Sequence, residues 1–160
     1  MFLGLDYTMI FQLLTAFILG GFLGLERERV GKVAGVRTFS LVSLSSALYV
    51  IVSQNINTSI IKLLQVDPTI PATAYGLDPT RILGQIVLGI GFLGAGIIIH
   101  HGYEVIGLTT AASLWTAAAV GAAVGFGFYG LAILSVVLAL IILHVVSYAT
   151  KEKYYGQKTL

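Results

Sequence analysis

The sequence predicts an all-α polytopic membrane protein, a bundle of five transmembrane helices, and three observations carry that prediction. Hydrophobic residues make up 57% of the chain against 10% charged, with a mean hydropathy of +0.94; a water-soluble domain covers its surface with about 25% charged residues. From Val105 to Thr150 there is no Asp, Glu, Lys or Arg, which is room for two spans of roughly 20 residues each. The charges that do occur are concentrated: Glu26, Arg27, Glu28, Arg29, Lys32 and Arg37 share one short polar stretch between apolar segments. One domain is expected, with residues 1–150 in the membrane and 151–160 as a short cytoplasmic tail.

Five apolar stretches are read as spans: Tyr7–Leu25, Thr38–Ser53, Ile82–Ile99, Leu108–Phe126 and Gly130–Ala149. The N-terminus lacks the basic start of a secretory signal, so the first run is kept as a mature span. Arg27, Arg29, Lys32 and Arg37 after span one, and Lys151, Lys153 and Lys158 in the tail, outweigh the single Lys62 of the connection from Gln54 to Pro79. The positive-inside bias then places the charged turn and the C-terminus in the cytoplasm, and the odd span count places the N-terminus outside. Ile56–Val66 is expected to lie as a separate helix in the outer interface, broken by Asp67-Pro68 and Ile70-Pro71. Asp78 followed by Pro79 predicts an N-cap and first helical position for span three. Arg81 and Gln85 share one face of that helix, and the reading aims this face into the protein, with snorkelling of Arg81 to headgroups as the alternative.

Gly21-Phe22-Leu23-Gly24 recurs as Gly91-Phe92-Leu93-Gly94, and Ala34-Gly35-Val36-Arg37-Thr38 is echoed by Ile106-Gly107-Leu108-Thr109-Thr110. Spans one and two thus repeat as spans three and four, in the same sense, an internal parallel helix-pair repeat. The repeat brings the two connecting turns to one face, with Glu26, Arg27, Arg37 and Thr38 near His100, His101, Glu104, Thr109 and Thr110. Each second helix begins at a threonine there, so two helix N-termini and Arg37 suit an anion or an acidic side chain; plain capping by Thr38 and Thr109 is the structural alternative.

Glycines at 20 and 24, at 84, 89, 91, 94 and 96, and at 121 and 125 recur at near-helical spacing. Small faces let helices approach closely in lipid, so spans three and four are expected to form the packed centre. Trp115 lies two turns into span four, where it is expected to wedge between helices or to line a cavity, with packing the favoured role. His144, isolated in the last span, is expected to be buried, neutral and bonded to a neighbouring helix.

Several motifs in this order resemble the MgtC/SapB family of bacterial inner-membrane proteins: Gly24-Leu25-Glu26-Arg27, Ala34-Gly35-Val36-Arg37-Thr38, Asp78-Pro79-Thr80-Arg81, Gln85 with Gly89 to Gly96, and Gly107 to Trp115. The resemblance implies a plasma-membrane protein linked to growth at low magnesium, with some members regulating other membrane proteins, the ATP synthase among them. It marks Glu26, Arg27, Arg37, Thr38, Asp78, Arg81, Gln85, Thr109, Thr110 and Trp115 as candidate functional residues. Two departures stand out. Longer members carry a soluble C-terminal domain, whereas this chain stops about ten residues after its last span, and Ser43, Ser45 and Ser46 make span two more polar than the family's usual small or apolar residues. His100 and His101 stand in a turn where basic residues are common in the family; the unperturbed histidine pKa of about 6.5 fits a pH-sensing role there, and plain solvation is the alternative.

The functional expectation is a regulatory or accessory role in magnesium homeostasis through the cytoplasmic polar face, with an ion or small-solute transporter or channel as the alternative. Magnesium takes oxygen ligands and keeps several waters, so a transport site calls for two or more carboxylates at membrane depth; Glu26 and Glu28 instead sit beside arginines. No resident cofactor and no metal site are expected, Mg2+ association aside. Neither cysteine, a His-Glu-X-X-His pattern nor a phosphate loop occurs, so catalysis is not expected. The expected partners are the lipid bilayer, a second copy in a homodimer and other membrane proteins; the charge pattern carries no nucleic-acid footprint.

Overall fold

The computed structural model describes residues 6–66, 78, 80–101 and 103–146. Five helices dominate: α1 Tyr7–Arg29, α2 Val36–Val66, α3 Arg81–Ile97, α4 Leu108–Gly125 and α5 Tyr129–Ile141, the last running on as one π-helical turn, Ile142–Val146. Between α3 and α4 stands a two-stranded antiparallel ribbon, β1 Ile99–His101 and β2 Glu104–Ile106, with His100 paired to Val105. Three helices are long and apolar enough to cross a membrane: α1, α2 as far as Lys62, and α4. The apolar α3 and α5 are shorter. The sequence reading treated residues 100–107 as a plain turn; Ile99–His101 and Glu104–Ile106 pair instead as strands, His100 and His101 lying within the first of them.

Local chemistry explains where the helices stop. Gly31 adopts φ +68° just past α1, donating its N–H to Glu28 O at 3.0 Å while Lys32 N–H reaches Arg27 O at 3.0 Å. Gly127, at φ +84°, ends α4 in the same way, with its N–H on Val124 O and that of Phe128 on Ala123 O. Both are Schellman endings, which satisfy carbonyls that the helix leaves without donors. A third left-handed glycine, Gly107 at φ +94°, precedes α4, and a Cβ there would collide with the Ile97 carbonyl. That position fixes the angle at which the ribbon feeds α4.

α2 differs most from expectation. It continues unbroken from Val36 to Val66, so Ile56–Val66 is no separate interfacial helix. No glycine or proline interrupts Ser53–Val66, and its polar side chains turn back on the helix itself. Asn55 Nδ2 donates to Ile51 O at 2.8 Å, Thr58 Oγ1 to Gln54 O at 2.8 Å and Ser59 Oγ to Asn55 O at 2.9 Å. The proline pairs expected to end it lie outside the described residues.

The core is the three-way seam of α1, α2 and α4, where Leu23, Phe39, Val50, Leu114, Val120 and Val124 are fully buried or nearly so. Glycines set its spacing. A Cβ on Gly20 would lie 2.6 Å from Ser43 Cβ, one on Gly24 2.6 Å from Val36 Cα, and one on Gly125 2.9 Å from Ala47 O; one on Gly121 would run into the Ser43 carbonyl. Because Gly121 meets Ser43 and Gly125 meets Ala47 and Val50, α2 and α4 run in the same direction. The bend before each therefore lies at the same end of the bundle. Gln12 of α1 donates Nε2 to Gly125 O at 2.9 Å, covering an end carbonyl of α4, and Phe11 packs edge-on against Tyr129 of α5 at 5.4 Å.

α4 touches α1, α2, α3 and α5, whereas α3 packs chiefly on α4. The expectation that spans three and four form the centre is thus half corrected. On α3 only Ile90 and Gly94 are buried, and a Cβ added at Gly84, Gly89, Gly91 or Gly96 would meet nothing within 4 Å. Small residues permit close packing without saying which helix exploits it.

Candidate functional site at the charged end of the bundle

The last turn of α1 carries the charge cluster, and burial divides it. Arg27 is only 4% exposed. Its Nη1 lies 3.3 Å from Glu26 Oε2, the single ion pair among the described residues. A buried guanidinium is tolerated only with a counter-charge beside it, yet its Nε finds no hydrogen-bond partner among the described residues. Glu28, one residue on, crosses the bend: its Oε2 accepts the Val36 N–H at 2.8 Å, at the positive end of α2. Gly35 leaves room for this contact, since a Cβ there would lie 2.5 Å from the same oxygen. Glu28 is itself exposed but engaged at the start of α2, and the exposed cations Arg29, Lys32 and Arg37 make no ion pair among the described residues, so the exposed charge of the bend is positive on balance.

The first turn of α4 enters the same end. Thr110 is buried, and Ser113 Oγ donates to the carbonyls of Thr109 and, at 3.2 Å, Thr110. Thr109, Thr38 and Arg37 are exposed. The capping roles read for the threonines are corrected: α4 has Gly107 as N-cap with no side-chain hydrogen bond, and α2 is capped from a distance by Glu28. The ribbon adds exposed His100 and Glu104; the side chain of His101 lies outside the described residues.

A pocket shared by Glu26, Arg37, Thr109 and Thr110 is not what the two described cavities provide. One, of about 330 Å³, lies between α1 and the end of α5, lined by Phe22, Glu26, Arg29, Val30, Leu140 and His144. His144 is therefore exposed to this cleft, which corrects its expected burial; the π-helical turn that carries it shifts the register of the last helix. The other cavity, of about 550 Å³, separates α2 from α3, and its lining includes Leu41, Ser45, Tyr49, Gln85, Gly89 and Leu93.

At the opposite end, Asp78 holds the entry to α3. Its Oδ1 accepts the Thr80 N–H at 2.8 Å and the Thr80 hydroxyl at 2.6 Å, and the Arg81 N–H reaches its carbonyl at 3.3 Å. Those Thr80 bonds, side chain first and then backbone, hold the Asp78 carboxyl below its ordinary value of 3.8. The helix opens at Arg81 with Thr80 as its cap residue, two positions beyond the N-cap read from Asp78-Pro79; Pro79 lies outside the described residues. Arg81 is exposed and Gln85 lines the α2–α3 cleft, so their shared face borders this gap rather than the packed core.

Trp115 is 54% exposed, on a stripe with Leu108, Ala112 and Ala119 that faces away from the bundle. The expected wedge between helices is corrected: on α4 the inward positions are filled by Leu114, Ala117, Ala118 and Gly121. Sequence reasoning passed over Glu28 as a cap, Gln12 as an interhelical donor and the buried Ser40; Ser43, noted only as making span two more polar, is buried as well, and neither serine hydroxyl has a partner among the described residues. The one usable signal was Glu28 standing just before a glycine-bearing bend.

Comparison with known proteins adds to this geometry. The model of the MgtC family matches residues 13–152. The chain is 40% identical over 155 residues to the protein named Putative magnesium transporter YhiD of Escherichia coli K12, covering 94% of this chain and 68% of that one. It is 41% identical to an uncharacterized protein of Synechocystis over 82% of this chain and 49% of the relative, and 43% identical to Protein MgtC of Brucella abortus over 70% and 40%. Against these last two it spans less than half the relative's length. No solved structure matches. Apolar helices fit to cross a bilayer, the charged bend after the first of them and a family match over most of the length converge, and the chain belongs to the MgtC family of membrane proteins.

Proposed function

We propose that the chain is a regulatory or accessory membrane protein of magnesium homeostasis, acting through the charged end of the bundle on an acidic surface of another membrane protein. The observation that carries this reading is the division of labour in the bend. Glu26 neutralises buried Arg27 and Glu28 caps α2, so the outward charge is positive. Both carboxylates are committed to the fold, which disfavours a hydrated-cation site there. The magnesium connection comes from the name of the Escherichia coli relative. In this reading all five helices span the membrane as two like-directed pairs plus α5, with the N-terminus outside and the charged bend and C-terminus in the cytoplasm, as the positive-inside bias favours. The outward face of α3, with Gly84 and Gly91 open, is where a second copy packs.

The test replaces Arg29, Lys32 and Arg37 by Gln, singly and together, in cells that depend on the protein for growth at low magnesium. Growth is lost in the triple variant while protein level and insertion stay normal; unchanged growth removes the reading. Glu26 is unsuitable for this test, because its loss strands Arg27. The second reading, a transporter, draws on the relative's name and on the like-directed helix pairs. Purified protein in liposomes, assayed for magnesium, proton and anion flux, separates the two. For orientation, the cysteine-free sequence allows single cysteines at positions 32 and 103, and labelling of both from one side only is expected.

A further inference from the structure

We propose that the cleft between α2 and α3 is a binding site for one phospholipid, which lays an acyl chain along the cleft and sets its phosphate against Arg81 and Gln85. The cavity of about 550 Å³ falls in the size range of small-molecule sites and is lined mainly by aliphatic side chains. It exists because α3 leans on α4 and scarcely touches α2, and Gly89 leaves its floor open, with nothing within 4 Å of where a Cβ would stand.

The polar groups are arranged for an amphiphile rather than for a free ion. Arg81 opens α3, and Gln85 lies one turn deeper on the same face, where the cleft begins. Among the described residues no ion pair holds the Arg81 guanidinium and no hydrogen bond engages the Gln85 amide. Asp78, the charged group nearest in sequence, turns its carboxylate to Thr80 instead. An unpaired amide at membrane depth is costly, and a guanidinium binds phosphate oxygens in a two-pronged fashion. Phosphate at the cation, ester oxygens at the amide and hydrocarbon beyond reproduce the order of groups along a glycerophospholipid. Ser45 and Tyr49 supply further hydroxyls on the α2 wall. A second copy of the chain would bring an apolar helix face, which leaves both polar groups without partners.

The test is native mass spectrometry of the detergent-purified full chain, titrated with phosphatidylglycerol or with diacylglycerol, which shares its acyl chains and lacks the phosphate. One phosphatidylglycerol per chain is retained, about tenfold more tightly than diacylglycerol, as expected for a charge-assisted contact. Arg81→Gln removes that preference, and Gly89→Leu, which fills the cleft without a backbone clash, lowers retention of both lipids about tenfold. Gly130→Leu, equally open but on α5 and outside the cleft, leaves retention of both lipids unchanged. Equal retention by all four proteins marks a non-specific lipid coat and overturns the proposal, as does a cleft variant that dissociates a dimer while leaving bound lipid unchanged. Arg81→Gln alters an exposed side chain, so its result stands even where Gly89→Leu fails to fold.

Discussion

The Glu28 carboxylate, in the last turn of α1, lies 2.8 Å from the backbone nitrogen of Val36, the first residue of α2. A helix N-terminus has donors without partners and a positive end, and here one side chain answers both needs from across a bend. The contact ties the exit of one helix to the entry of the next.

Glu28→Ala should therefore destabilise the protein by about 1 kcal/mol, the usual worth of an N-cap, and Glu28→Gln by less because an amide oxygen still accepts. Gly35→Ala should match or exceed Glu28→Ala, since its methyl would displace the same carboxylate. Thermal unfolding in detergent checks the order; a Gly35→Ala protein as stable as the parent contradicts it.

The Glu26–Arg27 pair predicts an asymmetry. Glu26→Ala leaves a buried guanidinium uncompensated and should cost about 3 kcal/mol, whereas replacing both residues with Met should restore most of the loss. Denaturation in mixed micelles, run as a double-mutant cycle, measures the coupling. Additive losses, with the double variant losing the sum of the two single variants, would show that the pair contributes nothing.

Glycines predict opposite outcomes by position. Gly121→Ala drives a methyl into the Ser43 carbonyl and should cost about 2 kcal/mol or more through overpacking, while Gly91→Ala, with open space around it, should be neutral or slightly stabilising. The comparison needs only melting temperatures of the two variants.

Asp78 predicts a pH dependence. Its carboxyl is held below the ordinary 3.8 by Thr80, so the charged form is favoured in the folded protein. The resulting stabilisation is complete above the unfolded value and is lost as pH falls through the lower, folded one. Carbon-13 NMR of the side chain should show this titration, and Thr80→Ala should move it upward.

Helix positions were legible in the sequence because apolar runs of spanning length have few alternatives, and the charged bend was legible because its six charges stand out against them. Which face each helix turns inward was not. In a chain apolar all round, periodicity carries little information, so Trp115 was placed inside and is exposed, and α3 was placed at the centre and lies at the side. α2 was cut short at Ser53 because polar residues read as an end, although hydroxyl and amide side chains can satisfy themselves on their own helix. Gln12 was overlooked as one polar residue in an apolar run; its value depends on α4 ending beside it, a fact of tertiary structure. Glu26 and Glu28 were both read as lying beside arginines; Glu26 does meet Arg27, whereas Glu28 caps α2, and only burial reveals that Arg27 faces the fold while Arg29, Lys32 and Arg37 face out.

A helix of 31 residues is a rod about 46 Å long, and the oily interior of a bilayer is about 30 Å thick. Held at its charged foot by Glu28 and at mid-height by the glycines of α1 and α4, α2 has some three turns more than the membrane can hide. That surplus, with its Gln54 to Ser59 stretch, is more helix than an upright crossing can bury, so tilt or projection has to take it up.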